Sequence, residues 1–419
     1  MAEPFNPQRA LLKLLEPGLP TARQVDCLRQ LDPMQLDALV SEAKRQGVAP
    51  LLYPILAENK ESNNLDIPQK EQLYPIHLAT AVRNTLILHD TKLLLLSLQE
   101  AGISVAGLKG IYLLENVFGN IGSRSMNDVD ILIKKKDLSR CMKVSERLGY
   151  TPPAYFSLDD RNIDTKHVPP MQKKGGTLLE VHWTLLEENE PFTIDVEAMW
   201  ERTVPATIAD VGVLSLRVED LILHLCLHLA YQHYLQLGLR GLVDIALVIH
   251  KFRSEIDWSR LVEIAKSWGT ERVTALMLKL VETQLNVSIP SEVSSALLPE
   301  GIGLDLLEQA RSQLLDRVRF EDHLTPDLVR MNADKNVFSK VRIGLQRVFI
   351  PRLTLARIYN VSPNSPKIVG AYWGRLKYLV RNYGGTLSRL RNKYKTTRPA
   401  LQNAEVSYSL HDWMTPQKK

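Results

Sequence analysis

Apolar residues recur every three to four positions along most of this chain, and the exceptions gather in one central block. Residues 8 to about 101 read as helical. The stretch PMQLDALVSEAKRQGVAP carries apolar residues at helical spacing and is closed by Gly47 and Pro50. A polar loop, ESNNLDIPQK, precedes a long helix predicted from about Gln72 to Ala101, with Gly102 placed where a C-terminal cap belongs. From Ser104 the pattern changes. The run SVAGLKGIYLLENVFGNIGSRSMNDVDILI predicts a short apolar strand, a turn at Lys109, a helix, an irregular loop and a second strand that opens with Asp128 and Asp130.

A helix from about Asp137 to Leu148 follows, stopped by Gly149. The segments HVPPMQ and TLLEVHW read as strands on either side of Lys173-Lys174-Gly175-Gly176, which is a hairpin signal. ATIADVGVLSL predicts a second small hairpin. From Val218 the helical period returns through EDLILHLCLHLAYQHY, RGLVDIALVIHKF, DWSRLVEIAKSWG and ERVTALMLKLVETQLN. Four regions result: a helical region over 1–101, an α/β core over 102–216, a helical domain over 217–334, and a basic helical segment with a polar tail over 335–419. The fold class is α+β, a small mixed β-sheet core flanked by helical regions.

The core holds most of the chemistry. Residues two apart on a strand share a face. Asp128 and Asp130 therefore aim at one point, while Val129, Ile131 and Ile133 are directed the other way. Glu180 and His182 share a face by the same rule. If the two strands are neighbours, three carboxylates converge. Like charges brought together are costly unless a cation compensates them. A divalent metal does so most simply, and Mg²⁺ usually takes one or two carboxylates plus substrate phosphates. Lys109, at a turn before a helix, adds a cation beside helix N-terminal N–H groups suited to phosphate.

Composition narrows the classes. The chain has 419 residues, 45% hydrophobic and 24% charged, a globular balance with room for several domains. Cys27, Cys141 and Cys226 are too few and too scattered for a disulfide framework or a zinc pattern, which suits a reducing compartment. The N-terminus MAEPFNPQRALLKLL lacks the shape of a signal peptide, and no apolar run is long enough for a transmembrane segment. A cytoplasmic location is the expectation. The net charge of +5 conceals an asymmetry. Residues 335–419 carry 17 Lys plus Arg against two acids, Glu405 and Asp412, which leaves 35 bases against 45 acids before them. The basic segment GAYWGRLKYLVRNYGGTLSRLRNKYK reads in three ways: as a partner for nucleic acid, as an amphipathic helix on an anionic membrane surface, or as a cover for the acidic body.

Three motifs in this order carry a resemblance: Leu108-Lys109-Gly110, then Arg124-Ser125-Met126-Asn127-Asp128-Val129-Asp130-Ile131-Leu132-Ile133, then Glu180-Val181-His182-Trp183. With them the sequence resembles the uncharacterised nucleotidyltransferase family of the polymerase β-like superfamily, over about residues 40 to 290. The resemblance implies a small nucleotidyltransferase-type sheet and Mg²⁺-dependent transfer of a nucleotidyl group from an NTP, ATP among the candidates, with Mn²⁺ as an alternative metal. It assigns Asp128, Asp130 and Glu180 as catalytic acids and metal ligands, and Lys109, Gly110, Arg124 and His182 to the nucleotide. The acceptor is unidentified: a small molecule, a protein side chain or an RNA end. The alternatives are a non-catalytic nucleotide-binding or scaffold protein on the same fold, and a nucleic-acid-binding protein using the basic C-terminal segment.

His224 and His228 fall four apart on one helix face, with His233 and Asp244 beyond. No Glu follows His224 as in metalloprotease motifs, so the expectation is that these histidines line the cleft rather than bind zinc. Asp244, inside an apolar helix, is expected to pair with Arg240.

Overall fold

The computed structural model describes residues 4–57, 69–152, 166–187, 190–315, scattered positions between 345 and 361, and the stretches 364–391 and 398–416. The expected polar loop lies outside the described residues up to position 68, as do the first part of the expected strand region near Tyr155 and much of the basic segment beyond Val337. The chain divides into two compact units. One comprises residues 1–152, 162–317 and 414–419; the other comprises 153–161 and 318–413.

The first unit opens with helices whose ends are written in the sequence. α1 (Pro7–Leu14) has Asn6 as its N-cap, the side chain accepting from the N–H groups of Gln8 and Arg9. α2 (Thr21–Arg29) follows. α3 (Pro33–Gln46) starts with a reciprocal capping box between Asp32 and Gln35 and ends on Gly47 at φ 72°. After α4 (Ala49–Ala57) comes α5 (Gln69–Glu100), the long helix predicted from about Gln72. Its end is the expected one, with Gly102 at φ 66°.

Among the described residues the strands form one seven-stranded sheet in the order β3-β4-β5-β2-β1-β7-β6. They are β1 (Val105–Gly107), β2 (Asp128–Ile133), β3 (Tyr150–Thr151), β4 (Met171–Lys173), β5 (Leu178–His182), β6 (Val204–Ile208) and β7 (Val211–Ser215). Both expected hairpins are present, β4–β5 and β6–β7. The strand expected over HVPPMQ is shorter than its apolar run. Only Met171–Lys173 joins β4, because Pro169 and Pro170 have no N–H to give a ladder. The turn Ala209-Asp210 needs positive φ at both residues (50° and 61°), and its N–H donation from Ala209 to Glu115 Oε2 at 2.7 Å secures it.

The observed class is the expected one: a mixed sheet between helical layers. β2 pairs parallel with β5 and antiparallel with β1, while β1 pairs parallel with β7. Val129, Ile131 and Ile133 of β2 are buried, as the alternation requires. Between β1 and β2 runs α6 (Lys109–Leu113), continued by a π-helical turn, Leu114–Phe118. Downstream come α7 (Leu138–Arg147) and α8 (Val196–Glu201), then the helical layer α9 (Val218–Cys226), α10 (Leu239–Lys251), α11 (Trp258–Trp268), α12 (Glu271–Leu285), α13 (Ser291–Leu297) and α14 (Leu304–Leu315).

The second unit has a small apolar cluster of its own, with Leu355, Ile368 and Ala371 buried and Tyr359 and Tyr372 packed against them. Its helix Lys367–Arg391 bears six Lys or Arg and no acid. Trp373 and Tyr378 on that helix are exposed.

Candidate functional site

The register of β2 against β5 builds the site. Asp130 lies directly opposite Glu180, and Leu132 opposite His182, so the sheet face that carries Asp128 and Asp130 also carries Glu180 and His182. The convergence that the sequence made conditional on neighbouring strands is therefore realised. Ligand atoms of Asp130, Glu180 and His182 all lie within 4.8 Å of one another. Asp128, at the start of β2, lines the same cavity but stands outside that tightest set.

Lys109 enters from the other side. It begins α6 at φ 44°, a left-handed conformation unusual for a side-chain-bearing residue. Its ammonium lies 2.6 Å from Asp130 Oδ1, and His182 Nε2 lies 2.9 Å from that same oxygen. Burial alone would push the Asp130 carboxyl up, but Lys109 and His182 hold it well below the usual carboxylate range. Lys109 is raised in turn: burial works against its charge, and Asp130 outweighs that penalty. Asp128 goes the opposite way. Burial, with the neighbouring charges of Asp130 and Glu180, raises its carboxyl above the ordinary value.

Arg124 was expected at the nucleotide; it lines the cavity and is paired there with Asp244. Its Nε and Nη2 donate to the two oxygens of Asp244 on α10, at 2.8 and 2.7 Å, in a fork geometry with both side chains buried. This corrects the expected Asp244–Arg240 pair. The i,i+4 rule ranks only neighbours on one helix, whereas Arg124 arrives from 120 residues upstream. Gly110 makes room for the arrangement, since a Cβ there would lie 2.7 Å from Arg124 Nη1. The loop that delivers Arg124 is tied to α5 by Asn84, whose amide donates to the carbonyls of Ile121 and Arg124 at 2.6 and 2.8 Å.

The histidines face the cleft as expected. α9 runs into a π-helical turn, Leu227–Gln232, that brings residues five apart into register. His228 and His233 consequently meet edge to face, ring centres 4.4 Å apart, and both line the cavity. His224 lies deeper, 2% exposed, with its Nε2 unpartnered among the described residues. Burial pushes His224 and His228 well below the ordinary imidazole value and His233 down to about 4, so all three are neutral at pH 7.

The cavity these groups enclose has a volume of about 360 Å³. It also takes in Lys166 and His167, which the sequence did not single out. Neither carries a motif. What brings them in is a single bridge between His167 and His182, with rings 4.8 Å apart, at the edge of β5.

The donor set suits a hard divalent cation. It is dominated by carboxylate oxygens, and burial followed by the charges of Asp130 and Glu180 keeps the Asp128 carboxyl raised beside them. An imidazole nitrogen that donates to Asp130 has no lone pair left for a metal. His182, in this geometry, orients Asp130, and the carboxylates are the ligands that remain.

The sequence model of the uncharacterised nucleotidyltransferase family matches residues 32–286, which spans the sheet, the carboxylate cavity and α9 to α12. The chain belongs to the uncharacterised nucleotidyltransferase family. It is a transferase of nucleotidyl groups. No curated protein and no solved structure matches the chain. The family region includes every residue of the cavity described above. Among the described residues no helix is long and apolar enough to cross a membrane.

Proposed function

We propose that this member of the family transfers a nucleotidyl group from an NTP to an acceptor hydroxyl or phosphate, using Mg²⁺ held by Asp128, Asp130 and Glu180. The observation that carries the reading is the parallel register of β2 and β5, which sets Asp130 against Glu180 on one wall of the cavity. A bound divalent cation would supply charge neutralisation at the phosphates and lower the proton affinity of the attacking hydroxyl. The chain's own residues do the rest. Lys109 and His182 keep Asp130 ionised and fix which oxygen is left for other contacts. Glu180, 19% exposed against 4% for Asp130, is the carboxylate best placed to take a proton from the acceptor as well as to bind metal. Arg124 and Asp244 line the cavity as a closed pair, holding the Met126–Asp128 approach against α10.

Calorimetric binding of ATP, GTP, CTP and UTP, with and without Mg²⁺, tests this on wild type and on the Asp128→Asn/Asp130→Asn double variant. Metal-dependent binding that the double variant abolishes is the expected result. A folded wild type that binds no nucleotide under any of these conditions overturns it.

A second reading is favoured by one observation, the exposed Trp373 and Tyr378 on an acid-free basic helix. It is an RNA or DNA contact through that helix. Its signature is an affinity that falls steeply with salt and is lost on truncation after Asp334.

A further inference from the structure

The triphosphate of a nucleotide brings several negative charges into a cavity whose one wall is already acidic, so a cation must meet it. The two cations that the motifs suggest are engaged. Lys109 is bonded to Asp130 at 2.6 Å, and Arg124, on the lining of the same cavity, is forked onto Asp244. Arg240 lines the cavity but has partners of its own, among them the Ser125 carbonyl at 3.5 Å.

Lys166 differs from all three. It lines the same cavity, half-buried, and among the described residues its ammonium makes no hydrogen bond or ion pair. Its backbone is anchored: the Lys166 carbonyl accepts from Trp183 N–H at 3.1 Å, directly after β5, and His167 bridges to His182. The side chain is thus held beside the strand that bears Glu180, on a fixed stem. Burial and the charge of Lys109 press its ammonium below the ordinary lysine value despite the pull of Glu190, Glu187 and Glu180, and an arriving anion would add to that pull.

We propose that Lys166 is the residue that binds the polyphosphate of the nucleotide, while Lys109 serves as the internal counter-ion of Asp130. The assignment rests on the nucleotidyl-transfer reading above and names a contact that none of the three sequence motifs contains.

The test uses the full chain and two calorimetric titrations: tripolyphosphate with Mg²⁺, and Mn²⁺ alone. Lys166→Met is expected to weaken tripolyphosphate binding by about tenfold or more, the size of one lost charge-assisted contact. Lys166→Arg should recover most of that loss. Mn²⁺ affinity should be unchanged or tighter in Lys166→Met, because a positive charge has been removed from beside the carboxylates. Tripolyphosphate binding by Lys166→Met equal to wild type overturns the assignment and leaves the transferase reading intact. A loss confined to Mn²⁺ also overturns it, by making Lys166 a support for Glu180. A wild type that binds Mn²⁺ but neither tripolyphosphate nor any NTP overturns both.

Discussion

Two of the ion pairs that join segments distant in sequence differ in what they leave over. Arg124 and Asp244 close on each other, with two donors, two acceptors and almost no exposure. Lys109 and Asp130 do not. One ammonium, shared by a single oxygen that also faces His182, stands among three carboxylates that line one cavity. The first pair is self-sufficient and reads as scaffold. The second stands on a cavity that Asp128, Glu180, Lys166 and Arg240 also line, so carboxylate oxygens are at hand for a cation and cationic groups for an anion. Burial alone does not separate scaffold from site here; the further charged groups that share the cavity with Lys109 and Asp130 do.

The sharpest way to break the comparison is at the scaffold pair. Arg124→Met or Asp244→Leu alone should destabilise the fold by about 3–5 kcal/mol, since each strands a buried charge, whereas the double variant should recover most of that. Urea unfolding midpoints measure it. Equal losses in single and double variants would mean that the fork matters for its shape and not for its charge balance.

At the other pair the expected effect falls on binding. Asp130→Asn should cut Mn²⁺ affinity roughly 100-fold while Arg124 variants that still fold retain it, as followed by calorimetry. Retained metal binding in Asp130→Asn would move the site elsewhere.

A smaller effect is expected with pH. His224 is neutral in the fold, with its affinity for protons depressed by burial from an ordinary 6.5. The unfolded chain binds that proton and the folded chain does not, so this contribution to stability is present above about pH 6.5 and is lost as pH falls below it. The urea midpoint should therefore drop between pH 7.5 and 5.5, and drop less in His224→Leu. An identical slope in the two proteins would remove His224 from the account.

The smallest change should have the opposite sign from the scaffold variants. The Asp128 carboxyl is raised, so its ionised form opposes folding once the pH passes the ordinary carboxylate value. Asp128→Asn should then stabilise the metal-free protein at pH 7, by up to about 1 kcal/mol. Destabilisation by that substitution would show Asp128 to be a structural acid like Asp244.

Much of this was legible in the chain, and unevenly so. Asp128, Asp130, Glu180 and His182 could be assigned to strands and faces because the side-chain alternation of a strand is a property of the backbone, repeated wherever the chain is extended. The helix stops at Gly47 and Gly102, the turn at Gly175 and the hairpin around Asp210 were readable for the same local reason. Arg124 and Asp244 were visible as unusual residues, yet their pairing with each other was not, and Asp244 was given Arg240 as its neighbour. Lys166 carried no signal at all: a lysine beside an apolar stretch is unremarkable until one knows which strand edge it meets.

The sequence by itself determined which residues are chemically equipped and which way each faces along its own element, since those follow from covalent geometry and short-range hydrogen bonding. Only the tertiary structure decided which charges meet. The parallel register of β2 on β5 set Asp130 against Glu180, the packing of α10 drew Asp244 to Arg124, and the bridge of His167 to His182 brought Lys166 to the cavity. Coulomb energy depends on distances of a few ångströms between groups up to 120 residues apart, and no local period in the chain encodes such a distance.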